Sequence, residues 1–173
     1  MRIQIIGGSG TGKSTFGRWI GQQEGIHWID TDHYLWKDQT FTEKRSIAER
    51  YALFTPDIER HHRYVVSGSI FSWNETGFHN RELLVFLTLD EDIRMQRLIK
   101  REQERYPDFD GSNEFLDWCR TYRTATDPAM IGTLAEHRLQ IIRSASPVIE
   151  VDAALPTDVM YKQIKSAYQK LTI

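Results

Sequence analysis

The feature that most constrains this chain is a glycine-rich loop near its amino terminus. Residues 7–15 read GGSGTGKST, which fits the phosphate-binding pattern G-x-x-x-x-G-K-[ST] in full. The loop follows a short isoleucine-rich run, residues 3–6, and precedes apolar residues at helical spacing, Phe16, Trp19 and Ile20. A strand, this loop and a helix in that order form the context in which the motif is specific. The sequence therefore predicts a phosphate-binding loop between a first strand and a first helix.

Each part of the loop has a chemical reason. The glycines let successive backbone N–H groups converge on phosphate oxygens, and the amino terminus of the following helix adds a positive dipole. Lys13 is predicted to reach the β- and γ-phosphates of a nucleotide, and Ser14 to offer its hydroxyl to Mg²⁺. The alternative, a glycine-rich turn with an incidental lysine, does not account for the full motif at this position. The predicted nucleotide-binding residues of the loop are Gly8, Ser9, Gly10, Thr11, Gly12, Lys13, Ser14 and Thr15.

Beyond the loop, strand and helix patterns alternate. The first helix is predicted from Lys13 to a C-cap at Gly25. Residues 83–89 form a continuous apolar run, typical of a strand buried on both faces, and are the best candidate for the central strand. Further strands are predicted at 26–30, 64–66 and 148–151. The alternation predicts an α/β fold with a parallel sheet.

Capping residues predict where the other helices begin and end. Thr40 and Glu43 have the spacing of a capping box, for a helix to about Phe54. Thr55 and Pro56 then predict a break and a new helix start. The remaining predicted helices follow Asp90 to about Glu104, run from Ser112 to about Thr124 after a loop over 106–112, open at Asp127-Pro128, and span 157–171.

Composition indicates one globular domain over residues 1–173. Apolar residues make up 40% of the chain and charged residues 27%, which excludes a fibrous or disordered chain. The net charge of −2 gives no global basic field for DNA or an anionic bilayer. The lone cysteine, Cys119, excludes an internal disulfide and fits a reducing cytoplasm. No stretch approaches the roughly 18 apolar residues of a membrane span, and residues 1–6 are too short and polar for a signal-peptide core. We therefore expect a soluble, cytoplasmic protein.

With this loop, the chain resembles the P-loop kinases of the nucleoside monophosphate kinase and shikimate kinase type. Within that group it is similar to the bacterial, adenylate kinase-related proteins called DNA topology modulation proteins. The counterparts are the loop itself, an Asp-x-x-x-Trp segment at 32–36, a strand followed by Gly68, and two arginine-bearing helices. The resemblance implies a three-layer αβα P-loop NTPase fold with a five-stranded parallel sheet and a helical lid over about 97–125. It also implies that ATP and Mg²⁺ are bound.

Two carboxylates follow the predicted second strand. Asp30 and Asp32 come at its carboxyl end, the edge at which open α/β sheets bind ligands. The Asp-x-Asp spacing is similar to the pair in shikimate kinases. In phosphoryl transfer, a carboxylate there can hold the metal shell or orient the acceptor hydroxyl. We assign Asp32 to the acceptor and Asp30, with Ser14, to the metal. The alternative is that both carboxylates merely cap the following turn.

The third predicted strand departs from these relatives. It ends at Ser67-Gly68-Ser69, where many of them have Asp-Gly. An acid at this strand end would help to bind the Mg²⁺-nucleotide. Without it, either Asp30 and Asp32 take over this role or catalysis is weaker. Phe71 and Trp73 follow at once, and they either stack on a planar acceptor or fill the space beside the helices.

Arginines are the predicted source of further positive charge. Arg97 and Arg101 lie one helical turn apart, a spacing that resembles the R-x-x-x-R lid element of nucleotide kinases, which lies over the donor phosphates. The charge of a migrating phosphoryl group needs cations besides Mg²⁺, and guanidinium groups suit that task. Arg120 and Arg123, on the next predicted helix, are expected to join Arg97 and Arg101 in a clamp of four arginines around the donor phosphates. Solvated surface charge is the alternative for all four. The predicted catalytic residues are Lys13, Asp32, Arg97, Arg101 and Arg123, and Arg97 and Arg101 also count as nucleotide-binding.

The histidines are interpreted as structural. There are six of them, and they show no metal-binding spacing with cysteine or acidic residues. His33, beside Asp32, is the one placed to touch a substrate.

Two classes of function remain. The leading one is an ATP-dependent phosphotransferase, a small-molecule or nucleotide kinase that moves the γ-phosphate to an acceptor hydroxyl or phosphate. The other is an ATP-binding regulatory or nucleic-acid-associated P-loop ATPase, which no basic stripe supports. A GTPase is disfavoured because the chain has no Asn-Lys-x-Asp guanine-recognition segment. The expected partners are a nucleotide and a small-molecule acceptor, without nucleic acid or membrane, in a monomer or homodimer.

Overall fold

The structure, a computed structural model, describes residues 1–38, 42–74 and 80–171. The strands in these ranges are β1 (Arg2–Ile6), β2 (His27–Asp30), β3 (Tyr64–Ser67), β4 (Leu83–Thr88) and β5 (Val148–Asp152). The helices are α1 (Lys13–Glu24), α2 (Asp32–Leu35), α3 (Ile47–Arg60), α4 (Glu91–Arg105), α5 (Glu114–Arg120), α6 (Leu134–Ile142) and α7 (Thr157–Lys170). None of these described helices is long and apolar enough to cross a membrane.

The strands form one parallel sheet in the order β2-β3-β1-β4-β5. The predicted five-stranded parallel sheet is therefore confirmed. Ile3 of β1 is in register with Val65 of β3 on one side and Leu83 of β4 on the other. The central position thus belongs to β1, and the prediction that 83–89 is the central strand is wrong. A continuous apolar run marks a strand covered on both faces, which holds for any interior strand, and β4 is one of these.

Helices cover both faces of the sheet. On one face, α1 and α7 pack against β1, β3 and β4 in a cluster that includes Ile5, Ile20 and Ile164. On the other face, α3 packs in a cluster that contains Phe54 and Val66, while α6 covers the β1 and β4 side chains of that face. Burial of each large apolar side chain stabilises the fold by roughly 1.5–3 kcal/mol. The predicted three-layer αβα arrangement is confirmed.

Two predicted helix ends are also confirmed. Gly25 follows α1 in the left-handed region, with φ of 59°, and its N–H donates to the Gly21 carbonyl. Asp90 caps α4, because its Oδ1 accepts from the backbone N–H groups of Asp92 and Ile93 at 3.0 and 3.2 Å.

The start of α3 differs from the prediction. Thr40 lies outside the described residues, and the capping box is formed by Ser46 and Glu49, six positions later than predicted. The Ser46 N–H donates to Glu49 Oε2 at 2.7 Å, and the Glu49 N–H donates to Ser46 Oγ at 3.3 Å. Ser46 and Glu49 have the same spacing as Thr40 and Glu43, so the local pattern alone does not decide between the two pairs.

The predicted break at Thr55-Pro56 is wrong as well, since α3 continues to Arg60 with Pro56 inside it. A proline in a helix interior removes one hydrogen bond and strains the preceding turn. Phe54 before it and Ile58 after it pack on the same apolar cluster of the sheet. Burial of that face keeps the helix continuous.

The segment between α4 and α6 differs from the prediction at three points. Asn113, not Ser112, caps α5, with the Leu116 N–H donating to Asn113 Oδ1 at 2.9 Å, and α5 ends at Arg120 rather than near Thr124. Asp127-Pro128 opens a turn instead of a helix, because Asp127 Oδ1 accepts from the Ala129 N–H at 2.9 Å. Helix α6 begins only after Thr133, its cap residue.

Candidate active site

One cleft at the carboxyl edge of the sheet brings most of the predicted site residues together. Strands β1, β2 and β3 run parallel and end at this edge, followed by the glycine-rich loop, Thr31-Asp32 and Gly68 respectively, and Asp30 is the last residue of β2. The cleft has a volume of about 320 Å³. It is lined by Ser9, Gly10, Gly12, Lys13, Ser14, Thr15, Asp30, Thr31, Asp32, Ser67, Gly68, Arg97, Leu98 and Arg101.

A larger groove, of about 680 Å³, lies between β4, β5 and α7. Its lining includes Leu83, Ile149 and Val159, and none of the predicted site residues. Its lining is mainly apolar, with polar side chains such as Lys162 and Lys170 from α7, and among the described residues it holds neither a glycine-rich loop nor a carboxylate for phosphoryl transfer. We therefore take the smaller cleft as the candidate active site.

The loop packs tightly against α4. Gly10 has a φ of 88°, and a Cβ at this position would lie 2.9 Å from Leu98 Cγ and 3.0 Å from the Arg94 carbonyl oxygen. Only glycine combines this backbone conformation with so close an approach. Thr11 closes the loop from within, since its N–H and its hydroxyl both donate to the Gly8 carbonyl, at 3.2 and 2.9 Å. The loop is therefore held in shape before any ligand binds.

Lys13 is poised for a negative ligand. Its Nζ donates to the Gly8 carbonyl at 3.1 Å. Burial lowers the pKa of Lys13 to about 8, and the charges of Asp32 and Asp30 oppose that shift. A phosphate group in the cleft would favour the ammonium form in the same way.

Asp30 and Asp32 supply the acidic side of the cleft. Asp30 Oδ1 accepts from the Asp32 N–H at 3.1 Å, so Asp30 does cap the turn into α2. Loss of hydration raises the pKa of Asp32, the negative charge of Asp30 adds to the rise, and Lys13 opposes it. With the Ser14 hydroxyl, these carboxylates form an oxygen-only donor set, which is the kind that Mg²⁺ prefers. The residues present therefore fit a magnesium ion.

Ser67 has a structural task in place of the acid of the relatives. Its hydroxyl donates to the Lys13 carbonyl at 2.9 Å and accepts from Trp28 Nε1 at 3.0 Å, which ties α1, β2 and β3 together. A carboxylate here could not donate to the Lys13 carbonyl. Next to it, Gly68 has a φ of 110°, and a Cβ would come within 1.9 Å of Thr31 Oγ1. The end of β3 thus admits only small residues.

The four predicted clamp arginines divide into two pairs. Arg97 and Arg101 line the cleft; Arg97 Nη2 donates to the Ala153 carbonyl at 3.5 Å, and Arg101 lies over the Phe115 ring at 5.2 Å. Arg120 and Arg123 are not in the lining. Arg120 instead donates to Asp117 Oδ1 at 2.5 Å.

Arg94 is a buried arginine that supports the loop, and the sequence predicted no separate role for it. Arg94 is 1% exposed, and it donates to the Ser9 carbonyl at 2.8 Å and the Cys119 carbonyl at 2.6 Å. Glu91 accepts from it at 2.9 and 2.5 Å, and its guanidinium lies 4.8 Å from the Tyr122 ring centroid. The one signal in the sequence was the i, i+3 spacing of Glu91 and Arg94.

Two uncharged aromatic side chains, Tyr122 and His137, pack beside the loop. The Tyr122 ring comes within 3.0 Å of the Cβ position of Gly8, and its hydroxyl lies 3.2 Å from His137 Nδ1. Burial, with a smaller contribution from Lys13, lowers the pKa of His137 to about 3. His137 is therefore neutral and adds no charge beside the loop.

The aromatic residues after β3 pack inside the protein. Trp73 is 9% exposed, and its ring meets Phe54 and Tyr34 edge to face, at centroid distances of 5.6 and 6.4 Å. Phe71 is buried too. These contacts favour the space-filling interpretation over stacking on an acceptor.

Comparisons with known proteins agree with this architecture. The chain is similar over most of its length to the uncharacterized protein YqaC of Bacillus subtilis (strain 168), at 32% identity over 158 residues and 87% of each chain. Among solved structures, a shikimate kinase from Bacteroides thetaiotaomicron matches with a TM-score of 0.62 at 15% identity, over 98% of both chains. A gluconokinase from Sinorhizobium meliloti 1021 matches with 0.57 at 17% identity, over 98% of this chain and 92% of that one. A deoxyadenosine kinase from M. mycoides matches with 0.57 at 15% identity, over 98% and 100%.

At these identities the solved structures establish the fold, and the predicted P-loop kinase architecture is confirmed. The sequence itself matches the family model of shikimate kinase over residues 9–168, a range that runs from the glycine-rich loop into α7. By that match the chain belongs to the shikimate kinase family.

Proposed function

We propose that this kinase transfers the γ-phosphoryl group of ATP to a hydroxyl or phosphate of a small molecule. One observation carries the proposal: a single cleft joins the phosphate-binding loop, two carboxylates and two arginines at the carboxyl edge of the sheet. Such a site works by positioning the reactants and stabilising charge, with little covalent chemistry for the protein to do.

On the donor side, the loop and Lys13 would hold the phosphates. The amino terminus of α1 faces the cleft through Gly12, Lys13 and Ser14, so backbone N–H groups and the helix dipole favour an anion there. Arg97 and Arg101 line the same cleft from α4. Guanidinium groups placed there would stabilise charge on the migrating phosphoryl group.

On the acceptor side, Asp32 would orient the attacking group and Asp30 would belong to the metal's outer shell. The raised pKa of Asp32 suits a group that accepts a proton from a hydroxyl during transfer. Mg²⁺, held through Ser14, would neutralise phosphate charge when bound. Because Ser67 is engaged with Lys13 and Trp28, Asp30 and Asp32 are left to serve both the metal and the acceptor.

Residues from about 97 to 125 would act as a lid in this scheme. Arg123, which does not line the cleft, reaches the donor phosphates only if the segment after α5 moves. Closure over the nucleotide would exclude water and suppress wasteful ATP hydrolysis.

The acceptor is testable with a panel. A coupled assay of ADP release should test nucleoside monophosphates and small hydroxy-acids as acceptors. The panel should include shikimate, gluconate and deoxyadenosine, because kinases named after these compounds have a similar fold. Release that depends on one acceptor and disappears in Lys13→Ala supports the proposal. Release that depends on DNA, or none with any acceptor despite ATP binding, points to the regulatory or nucleic-acid-associated ATPase. A cytoplasmic location and a monomer or homodimer remain predictions, and so does the closer similarity to the DNA topology modulation proteins.

A further inference from the structure

A second cluster of chemically active side chains lies at the other edge of the sheet. His27 is the first residue of β2, whereas Asp30 of the cleft is its last, about 10 Å away along the strand. Asp57 and His61 come from the end of α3, one helical turn apart. The fold thus joins three potential metal ligands that are up to 34 positions apart in the chain.

The three groups converge on one point. His27 Nε2 lies 3.3 Å and His61 Nε2 3.6 Å from the same oxygen, Asp57 Oδ1. One ligand atom from each residue lies within 4.8 Å of the other two. Tetrahedral zinc with bonds of about 2.0–2.1 Å separates its ligand atoms by roughly 3.3–3.5 Å. The two rings are stacked at 3.6 Å with 15° between their planes, so binding of a shared ion would require the imidazoles to rotate out of this stack until both nitrogens face it.

A buried tyrosine orients the carboxylate. The Tyr34 hydroxyl donates to the second oxygen, Asp57 Oδ2, at 2.7 Å, and Tyr34 is only 4% exposed. A hydrogen bond to the far oxygen of a metal-binding carboxylate is the usual support of such sites. About a third of each ligand side chain is exposed, which leaves room for water as a fourth ligand.

We propose that His27, Asp57 and His61 form a binding site for a zinc ion, separate from the magnesium that accompanies the nucleotide. Two imidazoles and one carboxylate suit zinc, while Mg²⁺ prefers oxygen ligands only. The ion would fasten the amino end of β2 to the carboxyl end of α3. Through Tyr34, which belongs to α2, it would also hold the short helix that starts at Asp32. The interpretation of all six histidines as structural missed this cluster because its members are not close in sequence.

The direct test is zinc binding by the full chain after dialysis against a chelator, measured calorimetrically in excess Mg²⁺. We expect one zinc ion per chain, and at least about tenfold weaker binding in His27→Gln and in His61→Gln. His62→Gln, a neighbouring exposed histidine outside the cluster, is the matched control and should bind like the unaltered protein. Circular dichroism of the metal-free variants checks that they are folded. If His27→Gln does not fold, His61→Gln at the end of α3 carries the test.

A second readout follows the ligand sphere itself. Co²⁺ in place of zinc should give visible absorption typical of low coordination number, and His61→Gln should lose it. Tyr34→Phe should retain the site with about 10–100-fold weaker binding. Zinc should also raise the melting temperature of the unaltered protein and not that of His61→Gln. An unaltered protein that binds no zinc, or a folded His61→Gln that binds it equally well, overturns the proposal. Because none of these readouts uses phosphoryl transfer, failure here leaves the kinase proposal standing.

Discussion

At the scale of single residues, burial sets the protonation of the groups around the cleft. It lowers the pKa of Lys13 to about 8 and that of His137 to about 3, and it raises the pKa of Asp32. Each shift favours the neutral form in the absence of ligand. A polyanionic nucleotide opposes the downward pKa shift of Lys13, because its negative charge favours the ammonium form.

The first prediction concerns ATP affinity and pH. Since bound phosphate raises the pKa of Lys13 above its unliganded value of about 8, binding takes up a proton at higher pH. Affinity for ATP should therefore be level near neutrality and fall above pH 8, by at most about tenfold per pH unit. Nucleotide titrations from about pH 6.5 to 9.5 measure it. Lys13→Ala should bind weakly at every pH without that fall, and a matching fall in both proteins would assign the effect to another group.

The second prediction separates Asp32 from the donor. Asp32→Asn should keep ATP affinity and lower the rate of transfer by about 10²–10⁴-fold, since it removes the charge that orients the acceptor and keeps the shape. The raised pKa of Asp32 in the fold means that ionisation costs stability as pH rises through that pKa. The melting temperature of Asp32→Asn at neutral pH should thus match or exceed that of the unaltered protein. An unchanged transfer rate would reduce Asp32 to a turn-capping residue.

At the scale of elements, Arg94 couples α4 to the loop and to α5. Its guanidinium satisfies the carbonyls of Ser9 and Cys119 and pairs with Glu91, while almost no part of it meets solvent. Leu98, Leu116 and Cys119 form an apolar cluster beside it that packs α4 on α5. The loop, α4 and α5 are therefore linked, and within the proposed lid over about 97–125 the largest closing movement is expected around 106–112 and after α5.

The third prediction tests this coupling. Arg94→Met keeps the length and packing of the side chain but leaves the buried Cys119 carbonyl and the partly buried Ser9 carbonyl without this donor, which should destabilise the protein by about 2–5 kcal/mol. ATP affinity should fall with it, because Ser9 belongs to the loop. Urea unfolding and nucleotide titration provide the two measurements. Lys100→Met is the control on the same helix, since Lys100 is exposed and its nearest carboxylate is 3.9 Å away; equal stability of the two variants would contradict the role given to Arg94.

At the scale of the whole molecule, the positions of the two arginine pairs favour closure of the cleft over a bound nucleotide. Arg97 and Arg101 already face the loop, whereas Arg120 and Arg123 lie outside the lining. A nucleotide that contacts both pairs would draw Arg120 and Arg123 toward the loop. Such closure is a change of population between open and closed forms, driven by contacts made only in the closed form.

The fourth prediction is a slowing of hydrogen exchange across residues 100–125 when a nonhydrolysable ATP analogue and Mg²⁺ are added. Arg101→Ala should lower the transfer rate more than it weakens nucleotide binding, because its charge acts mainly on the transition state. Lys100→Ala, one residue away, should change neither. Unchanged exchange together with a fully active Arg101→Ala would leave these arginines as solvated surface charge.

The sequence by itself determined the loop, the strands and the class of fold. The glycine spacing, the apolar runs and the caps at Gly25 and Asp90 act over a few residues, so their physical effect can be read locally. The same holds for Asp30, Asp32, Arg97 and Arg101, since parallel strands and a helical spacing of four bring them to one edge.

Only the tertiary structure decided what depends on contacts between distant segments. Burial of Phe54 and Ile58 on one cluster carried α3 through Pro56, against its local break signal. The same kind of long-range packing placed β1 in the centre of the sheet and gave Ser67 the Lys13 carbonyl as a partner. It also buried Arg94 beneath the loop and brought His27 to Asp57. Each of these outcomes rests on the free energy of burying and pairing groups far apart in the chain, which a local pattern does not contain.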